Sequence, residues 1–188
     1  MDGFTPPGQQ ALSGTTYLLG SDDQGRDMLS TIMYGSRVSL FVGFSATLFA
    51  MTLGIALGLT AGYRGGFADT IIMRIADVQL SFPAILIALL IFGVAQGLIP
   101  ASQQEQTAVW VLILAIGLSN WAQFARTVRG TTMVERQKDY VSAARLLGRR
   151  PLAIVTRHVL PNVLGPVLVI ATISLALAII EEATLSYL

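Results

Sequence analysis

The side chains that most often carry chemistry are scarce in this 188-residue chain. It contains no cysteine, a single histidine, His158, and a single lysine, Lys138. One histidine cannot build a histidine- or thiolate-based metal centre. We also find no set of nucleophile, base and orienting group that could be assembled around His158. Lys138 lies in the sequence RQKD, so the chain lacks the GxxxxGK[ST] loop that holds nucleotide phosphates. We expect no catalytic, cofactor or metal site here, and any ATP used with this chain must be bound by another one.

The composition indicates what surrounds the chain. Apolar residues make up 53% and charged residues 12%, and the mean hydropathy is +0.65. A soluble domain has about 25% charged residues, so the apolar excess is expected to face lipid. Twelve basic and eleven acidic residues leave a net charge of +1, which excludes a polybasic nucleic-acid binder.

Four long stretches carry no charged residue: 38–63, 78–104, 106–125 and 159–180. About 20 helical residues cross a hydrocarbon core of about 30 Å, and buried helices of soluble proteins rarely run so far without a polar stripe. Prolines and the QQEQ patch at 103–106 shorten the second and third stretches. We predict an all-α polytopic helical bundle with an extracytoplasmic segment over 1–37, a transmembrane domain over 38–188, and spans at about 38–63, 80–99, 108–124 and 159–180.

The basic residues divide unequally when these spans alternate across the membrane. One face receives two of them, Arg26 and Arg37, and the other receives ten, within 64–79 and 125–158. The second face is therefore predicted to be cytoplasmic by the positive-inside rule. Residues 1–25 contain no basic residue and no apolar stretch that could export them, so we expect a further membrane helix before this sequence.

Small residues recur at every fourth position of the first predicted span: Ala46, Ala50, Gly54, Gly58 and Gly62. We call this stripe the small-residue seam. Small side chains let helix backbones approach closely in lipid, where apolar attraction between helices is weak. We expect the seam to pack against another helix, either in the same chain or in a second copy.

The segment 125–158 is too long for a simple connection and has a helical pattern of its own. Three apolar residues recur at helical spacing: Val141, Ala144 and Leu147. Gly148 then provides a helix stop and Pro151 a helix start. The pattern predicts two short helices joined by a glycine corner, with a nearly bare surface at Ala143 and Ala144 that a partner protein could approach. The alternative is an amphipathic loop that lies on anionic lipid.

The corner also carries a recognisable motif. Residues 142–148 read SAARLLG, and after nine further residues 158–161 read HVLP. This pattern resembles the EAA loop of ABC importer permeases, E-A-A-x3-G-x9-I-x-L-P. Ser142 stands where glutamate is usual and His158 where isoleucine is usual, and RHVLPN at 157–162 is similar to the dipeptide and oligopeptide branch of that family.

Further segments resemble the same branch from residue 19 to the end of the chain. They are LGSDDQGRD at 19–27, YGSRVSL at 34–40, the R-x-x-D…FP pattern at 74–83, W-x-x-x-A-R-x-x-R-G at 121–130 and EEATLS at 181–186. In full-length members of the branch one helix precedes this stretch and one follows it.

The resemblance implies the C-type permease subunit of a type I ABC importer in the bacterial inner membrane, with dipeptides, oligopeptides or a similar small solute as cargo. Nickel and glutathione carriers belong to the same group. The implied partners are a homologous permease, two ATPase subunits that bind ATP and Mg²⁺, and an extracytoplasmic solute-binding protein. The corner would dock on an ATPase subunit in the cytoplasm. The resemblance assigns eight residues to this coupling loop: Ser142, Ala143, Ala144, Leu147, Gly148, His158, Leu160 and Pro161. His158 is expected to be a polar residue at the membrane edge.

Polar residues near the span ends have more than one explanation. Two of them, near the inner end of the third span, could face a watery path or bond a neighbouring helix: Asn120 and Gln123. Arg74 and Asp77 could form an exposed pair. Glu181 and Glu182 are expected at the solvated outer end of the fourth span, where a binding protein could contact them.

Two other classes of function compete with an importer. An ion-coupled secondary transporter or channel often carries an ionisable residue within a span, and the four uncharged stretches carry none. A non-transporting membrane scaffold would leave the ordered segment 125–158 without a role.

Overall fold

The computed structural model describes residues 3–10, 14 and 16–187, and within them the chain is helical and without a β-strand. The predicted all-α class is confirmed. The helices are α1 (Met28–Arg64), α2 (Gly66–Leu80), α3 (Ala84–Leu98), α4 (Ala101–Glu135), α5 (Asp139–Leu146), α6 (Pro151–Ile154) and α7 (Leu160–Tyr187), with a π-helical turn at Val155–Val159 between α6 and α7.

The chain forms two compact units, Met1–Phe41 and Val42–Leu188. α1 begins in the first unit, at Met28, earlier than the predicted boundary at residue 38, so Arg37 lies inside a helix. Arginine is a good helix former and its long side chain can extend toward the membrane surface, so a single arginine does not stop the helix.

An acidic turn in the first unit begins α1. Asp22 accepts hydrogen bonds from the backbone N–H of Gln24 at 3.0 Å and of Arg26 at 2.8 Å. Asp27 accepts the backbone N–H of Ser30 at 3.2 Å and caps the helix start. The Arg26 N–H holds the pKa of the Asp22 carboxyl below its ordinary value, and the Ser30 hydroxyl does the same for Asp27. The LGSDDQGRD segment is therefore the start signal of α1.

α4 is longer than predicted. It has 35 residues, or about 50 Å at 1.5 Å per residue, and it continues past the predicted loop boundary at residue 125. The helix continues because Arg126 and Arg129 pair with aspartates of α2 instead of entering a loop. At the other end of this segment a helix begins at Pro151, as predicted, and helical structure continues through the π-helical turn into α7.

α2 and α3 form a bent pair, with 96° between them. The predicted span at 80–99 corresponds to α3 alone, which has 15 residues and a length of about 22 Å. Pro83 at its N-cap breaks the helix, because it lacks the N–H that would continue α2. Among the described residues, three helices are long and apolar enough to cross a membrane, and four if the bent pair is one span.

The core of the second unit lies where α1, α4 and α7 meet. One cluster of buried apolar residues extends from this bundle to α5 and α6: Ala50, Phe124, Val128, Val141, Ala144, Ile154, Val159, Val163 and Val167. The two short helices are thus packed onto the spans and form part of the same core.

Candidate functional site

We call α5, the corner at 147–150 and α6 the elbow. α5 ends in a Schellman motif, in which the Gly148 N–H bonds the Arg145 carbonyl at 3.0 Å and the Arg149 N–H bonds the Ala144 carbonyl at 3.1 Å. Gly148 has a φ of +72°, a conformation that strains every residue with a side chain. Pro151 opens α6. The predicted glycine corner is confirmed.

The elbow has one buried face and one exposed face. Val141 and Ala144 are buried, whereas Ser142 and Ala143 are exposed. Ala144 was predicted on the bare outer surface and lies instead in the core, because α5 turns this face toward the spans. The sequence also missed Leu146, which is 90% exposed, beside Leu147 at 80%. The corner therefore presents two leucines to its surroundings.

Basic side chains surround these leucines. Arg149 and Arg150 are exposed on the corner itself. The guanidinium carbon of Arg145 lies 5.4 Å from the centroid of the Tyr63 ring at the end of α1, which is a cation–π distance. Arg145 is therefore held over the Tyr63 ring while it stays exposed, and the corner carries a positive rim.

A polar cluster lies behind the elbow, around Tyr140. The Tyr140 hydroxyl donates to a carboxylate oxygen of Glu135, whose other oxygen is 2.6 Å from the Lys138 Nζ. Asn162 Nδ2 lies 3.2 Å from the Tyr140 oxygen and 2.7 Å from the His158 carbonyl oxygen. Burial and then the Glu135 carboxylate raise the pKa of Tyr140 to about 12, although 38% of the residue is exposed, because its hydroxyl faces the cluster.

The remaining motif residues lie at the start of the last helix. His158 is half-buried in the π-helical turn, with its ring centroid 6.3 Å from that of Tyr140. Leu160 begins α7 and donates its N–H to the Val155 carbonyl, and Pro161 is exposed. Within residues 3–10, 14 and 16–187, no group of three His, Cys, Asp or Glu side chains is placed to hold a metal ion.

The small-residue seam packs against α4 of the same chain. A Cβ added to Gly54 would fall 2.4 Å from the Phe124 Cβ, and one added to Gly62 would fall 2.7 Å from the Thr132 Cβ. Contacts advance in the same direction along both helices, so α1 and α4 run parallel here. The seam was predicted to pack either against a helix of the same chain or against a second copy, and the structure shows it packed against a helix of the same chain.

Polar contacts join α4 to α7 inside the bundle. Asn120 Nδ2 donates to a Glu181 oxygen at 3.0 Å, and Gln123 Nε2 donates to the Ser174 hydroxyl at 2.9 Å. Asn120 and Gln123 were expected either to face a watery path or to bond a neighbouring helix, and the structure shows the second.

The prediction that Glu181 and Glu182 lie at a solvated end of the span is wrong. α7 continues past both residues, and Glu182 is only 4% exposed. Its Oε1 accepts from Ser186 at 2.8 Å, and its Oε2 finds no hydrogen-bond partner among the described residues.

Ion pairs join α2 to α4. Asp77 pairs with Arg126, and both oxygens of Asp69 are bonded by Arg129, one of them at 2.6 Å. We predicted that Asp77 pairs with Arg74 of the same helix. That prediction is corrected, because Asp77 pairs with Arg126 of α4. The R-x-x-D and A-R-x-x-R motifs meet in space at this contact.

Long apolar helices with polar bonds between them are typical of a multi-pass membrane protein. The chain matches the family described as binding-protein-dependent transport system inner membrane component over residues 54–188. It belongs to this family, and the resemblance to peptide permeases is confirmed.

Several relatives extend this similarity over nearly the whole chain. The dipeptide transport system permease protein DppC of Alkalihalophilus pseudofirmus is 40% identical over 169 residues, which are 90% of this chain and 52% of the relative. DppC of Haemophilus influenzae is 37% identical over 183 residues, 97% of this chain and 59% of the relative. The glutathione transport system permease protein GsiD of Pectobacterium atrosepticum is 38% identical over 174 residues, 93% and 54% of the two chains. This chain spans a little more than half the length of these relatives.

Proposed function

We propose that this chain is the permease part of an ATP-driven importer that carries dipeptides, oligopeptides or a similar small solute across the bacterial inner membrane. The cargo class is supported by the names of the relatives, which include dipeptide and glutathione transport systems. The permease has no catalysis of its own in this proposal. ATP and Mg²⁺ are bound by separate ATPase subunits, and the other partners are a homologous permease and an extracytoplasmic solute-binding protein.

The elbow is the proposed contact with an ATPase subunit, on the cytoplasmic side. The observation that carries this assignment is the pair Leu146 and Leu147, which project from a corner whose inner face is packed into the spans. Exposed leucines on a fixed turn fit an apolar groove of a partner protein, and Arg149 and Arg150 favour an acidic rim around that groove. A push on the elbow would reach α1, α4 and α7, all of which the elbow contacts.

A second candidate function has an observation in its favour. Glu182 is a buried carboxylate within the apolar helix α7, and an ionisable residue inside a span is typical of ion-coupled transporters. The sequence alone offered no such residue within its uncharged stretches. Uptake driven by a proton or sodium gradient in the absence of ATPase subunits would support this candidate.

Reconstitution tests the importer. The full-length permease, its homologous partner, the ATPase subunits and the binding protein are placed in liposomes, and peptide uptake is measured with and without ATP. We expect uptake only with ATP and all subunits. Leu147→Glu should lower ATP-dependent uptake about tenfold or more, because it places a charge in the apolar contact.

Leu18→Glu is the matched control, because Leu18 is 68% exposed and belongs to the N-terminal unit, whereas the elbow belongs to the second unit. It should leave uptake unchanged. Equal uptake by Leu147→Glu and wild type would refute docking through the corner, and ATP-independent uptake by the wild type would refute the importer.

A further inference from the structure

Three helices converge on one hydroxyl group. Tyr140 near the start of α5 donates to Glu135 at the end of α4 and accepts from Asn162 in the first turn of α7. Glu135 is itself 6% exposed and is held by Lys138 as well. The Tyr140 oxygen is thus the point at which α5 is hydrogen-bonded to two of the long helices.

The contact lies directly beside the irregular part of the last helix. Asn162 also donates to the carbonyl of His158, inside the π-helical turn Val155–Val159. Turns of this kind interrupt the regular ladder of hydrogen bonds and are places where helices bend. A pull on α5 through Tyr140 therefore acts on α7 immediately after this turn.

The other contacts of α5 are of a different physical kind. Val141 and Ala144 pack in the apolar core, and Arg145 lies over the Tyr63 ring. Apolar packing has no preferred direction, whereas a hydrogen bond fixes both a distance and an angle. Among the described residues, the side-chain hydrogen bond that joins α5 to α7 is the one between Tyr140 and Asn162.

We propose that Tyr140 is the positioning residue that carries a displacement of the elbow into α7. This inference rests on the proposed function, in which an ATPase moves the elbow. The α7 segment beyond Asn162 then follows α5 when the ATPase closes, with the π-helical turn as the hinge. Without the Tyr140 hydroxyl, α5 would still dock and still move, but α7 would follow it poorly.

The test separates docking from transmission. Tyr140→Phe and Asn162→Ala are assembled with all partner subunits in liposomes, and peptide uptake and ATP hydrolysis are measured together. We expect both variants to assemble and hydrolyse ATP as the wild type does, with peptide transported per ATP lowered about 5-fold or more. The double variant should add little to either single one. Tyr34→Phe, at an exposed tyrosine of α1, is the matched control and should behave as wild type.

A distance measurement supplies a second readout, which a merely structural role would not change. This chain carries no cysteine, so cysteines placed at Thr52 on α1 and Leu168 on α7, both exposed, can be spin-labelled selectively. ATP binding should change the distance between the labels in the wild type and change it much less in Tyr140→Phe.

Wild-type transport per ATP in both variants, or an unchanged ATP-induced distance change in Tyr140→Phe, would overturn the role of Tyr140 and leave the importer standing. Absence of ATP-dependent uptake by the wild-type assembly would overturn the proposed function and this inference with it.

Discussion

Gly58 of α1 lies against Val128 of α4 with no room for a side chain between the helices. A Cβ atom at position 58 would fall 2.7 Å from the Val128 Cβ and 2.6 Å from the Ala125 carbonyl oxygen. The second atom belongs to the backbone of α4, so rotation of a side chain cannot relieve the clash. The two helices are therefore held at a separation that glycine alone permits.

Gly58→Ala should destabilise the permease by about 1–3 kcal/mol, because the added methyl group overpacks this contact. The measurement is thermal or denaturant unfolding of the purified protein in detergent. Gly93→Ala on α3 is the control, since no described atom lies within 4 Å of its added Cβ. That control should be neutral or slightly stabilising, because alanine favours helix more than glycine does. Equal stability of the two variants would contradict close packing of the seam.

Neighbouring alanines of α5 should respond in opposite ways to the same substitution. Ala144→Asp places an unpaired charge in the core and should cost about 3 kcal/mol of unfolding free energy. Ala143→Asp adds a charge to an exposed position, so stability should hold while ATPase binding weakens. Unfolding in detergent and co-purification with the ATPase measure the two effects. If Ala144→Asp were as stable as wild type, the burial of this face would be wrong.

The two ion pairs between α2 and α4 should differ in strength. Asp69 and Arg129 share two hydrogen bonds, with side-chain exposures of 18% and 32%, whereas Asp77 and Arg126 share one, at 57% and 55%. Asp69→Asn should therefore lower the unfolding free energy by about 1.5–3 kcal/mol, and Asp77→Asn by about 1 kcal/mol or less.

The effect of Asp69→Asn should also persist in high salt, because partly buried pairs are screened less than exposed ones. Exchanging the two charges, as Asp69→Arg with Arg129→Asp, should recover part of the loss. An effect of Asp77→Asn larger than that of Asp69→Asn would contradict this order.

The pH dependence of Tyr140 follows from its raised pKa. Burial and the Glu135 carboxylate raise it from 10.0 to about 12, so the folded state holds the hydroxyl proton more tightly than the unfolded state. The contribution to stability is complete below about pH 10 and is lost as the pH rises through about 12. Unfolding measured from neutral to alkaline pH should show this loss in the wild type and lack it in Tyr140→Phe. The same alkaline loss in Tyr140→Phe would assign it to another group.

Local sequence rules predicted the elbow well. The stop at Gly148 and the start at Pro151 depend on φ preferences and hydrogen bonds between nearby residues, which the sequence shows directly. The seam was predictable for a similar reason, since spacing by four places its residues on one helical stripe. The helix that packs against the seam could not be predicted, because no local sequence feature distinguishes contact with α4 from contact with a second copy of α1.

Contacts between distant parts of the chain account for the errors. Helical spacing placed Ala144 on one stripe with Val141, but whether that stripe meets the spans or a partner protein depends on where α5 packs. Arg126 as the partner of Asp77 and the burial of Glu182 likewise depend on how helices pack. Charge was also a poor guide to the end of α4, because its arginines are neutralised by a neighbouring helix.

The Schellman motif lets the outward side chains of the elbow be substituted without a change in its backbone. Its path is set by main-chain hydrogen bonds and by one glycine, and the leucines that project from it contribute little to that path. In the proposed docking, substitutions at these outward positions would change the surface offered to an ATPase subunit while the turn itself keeps its shape.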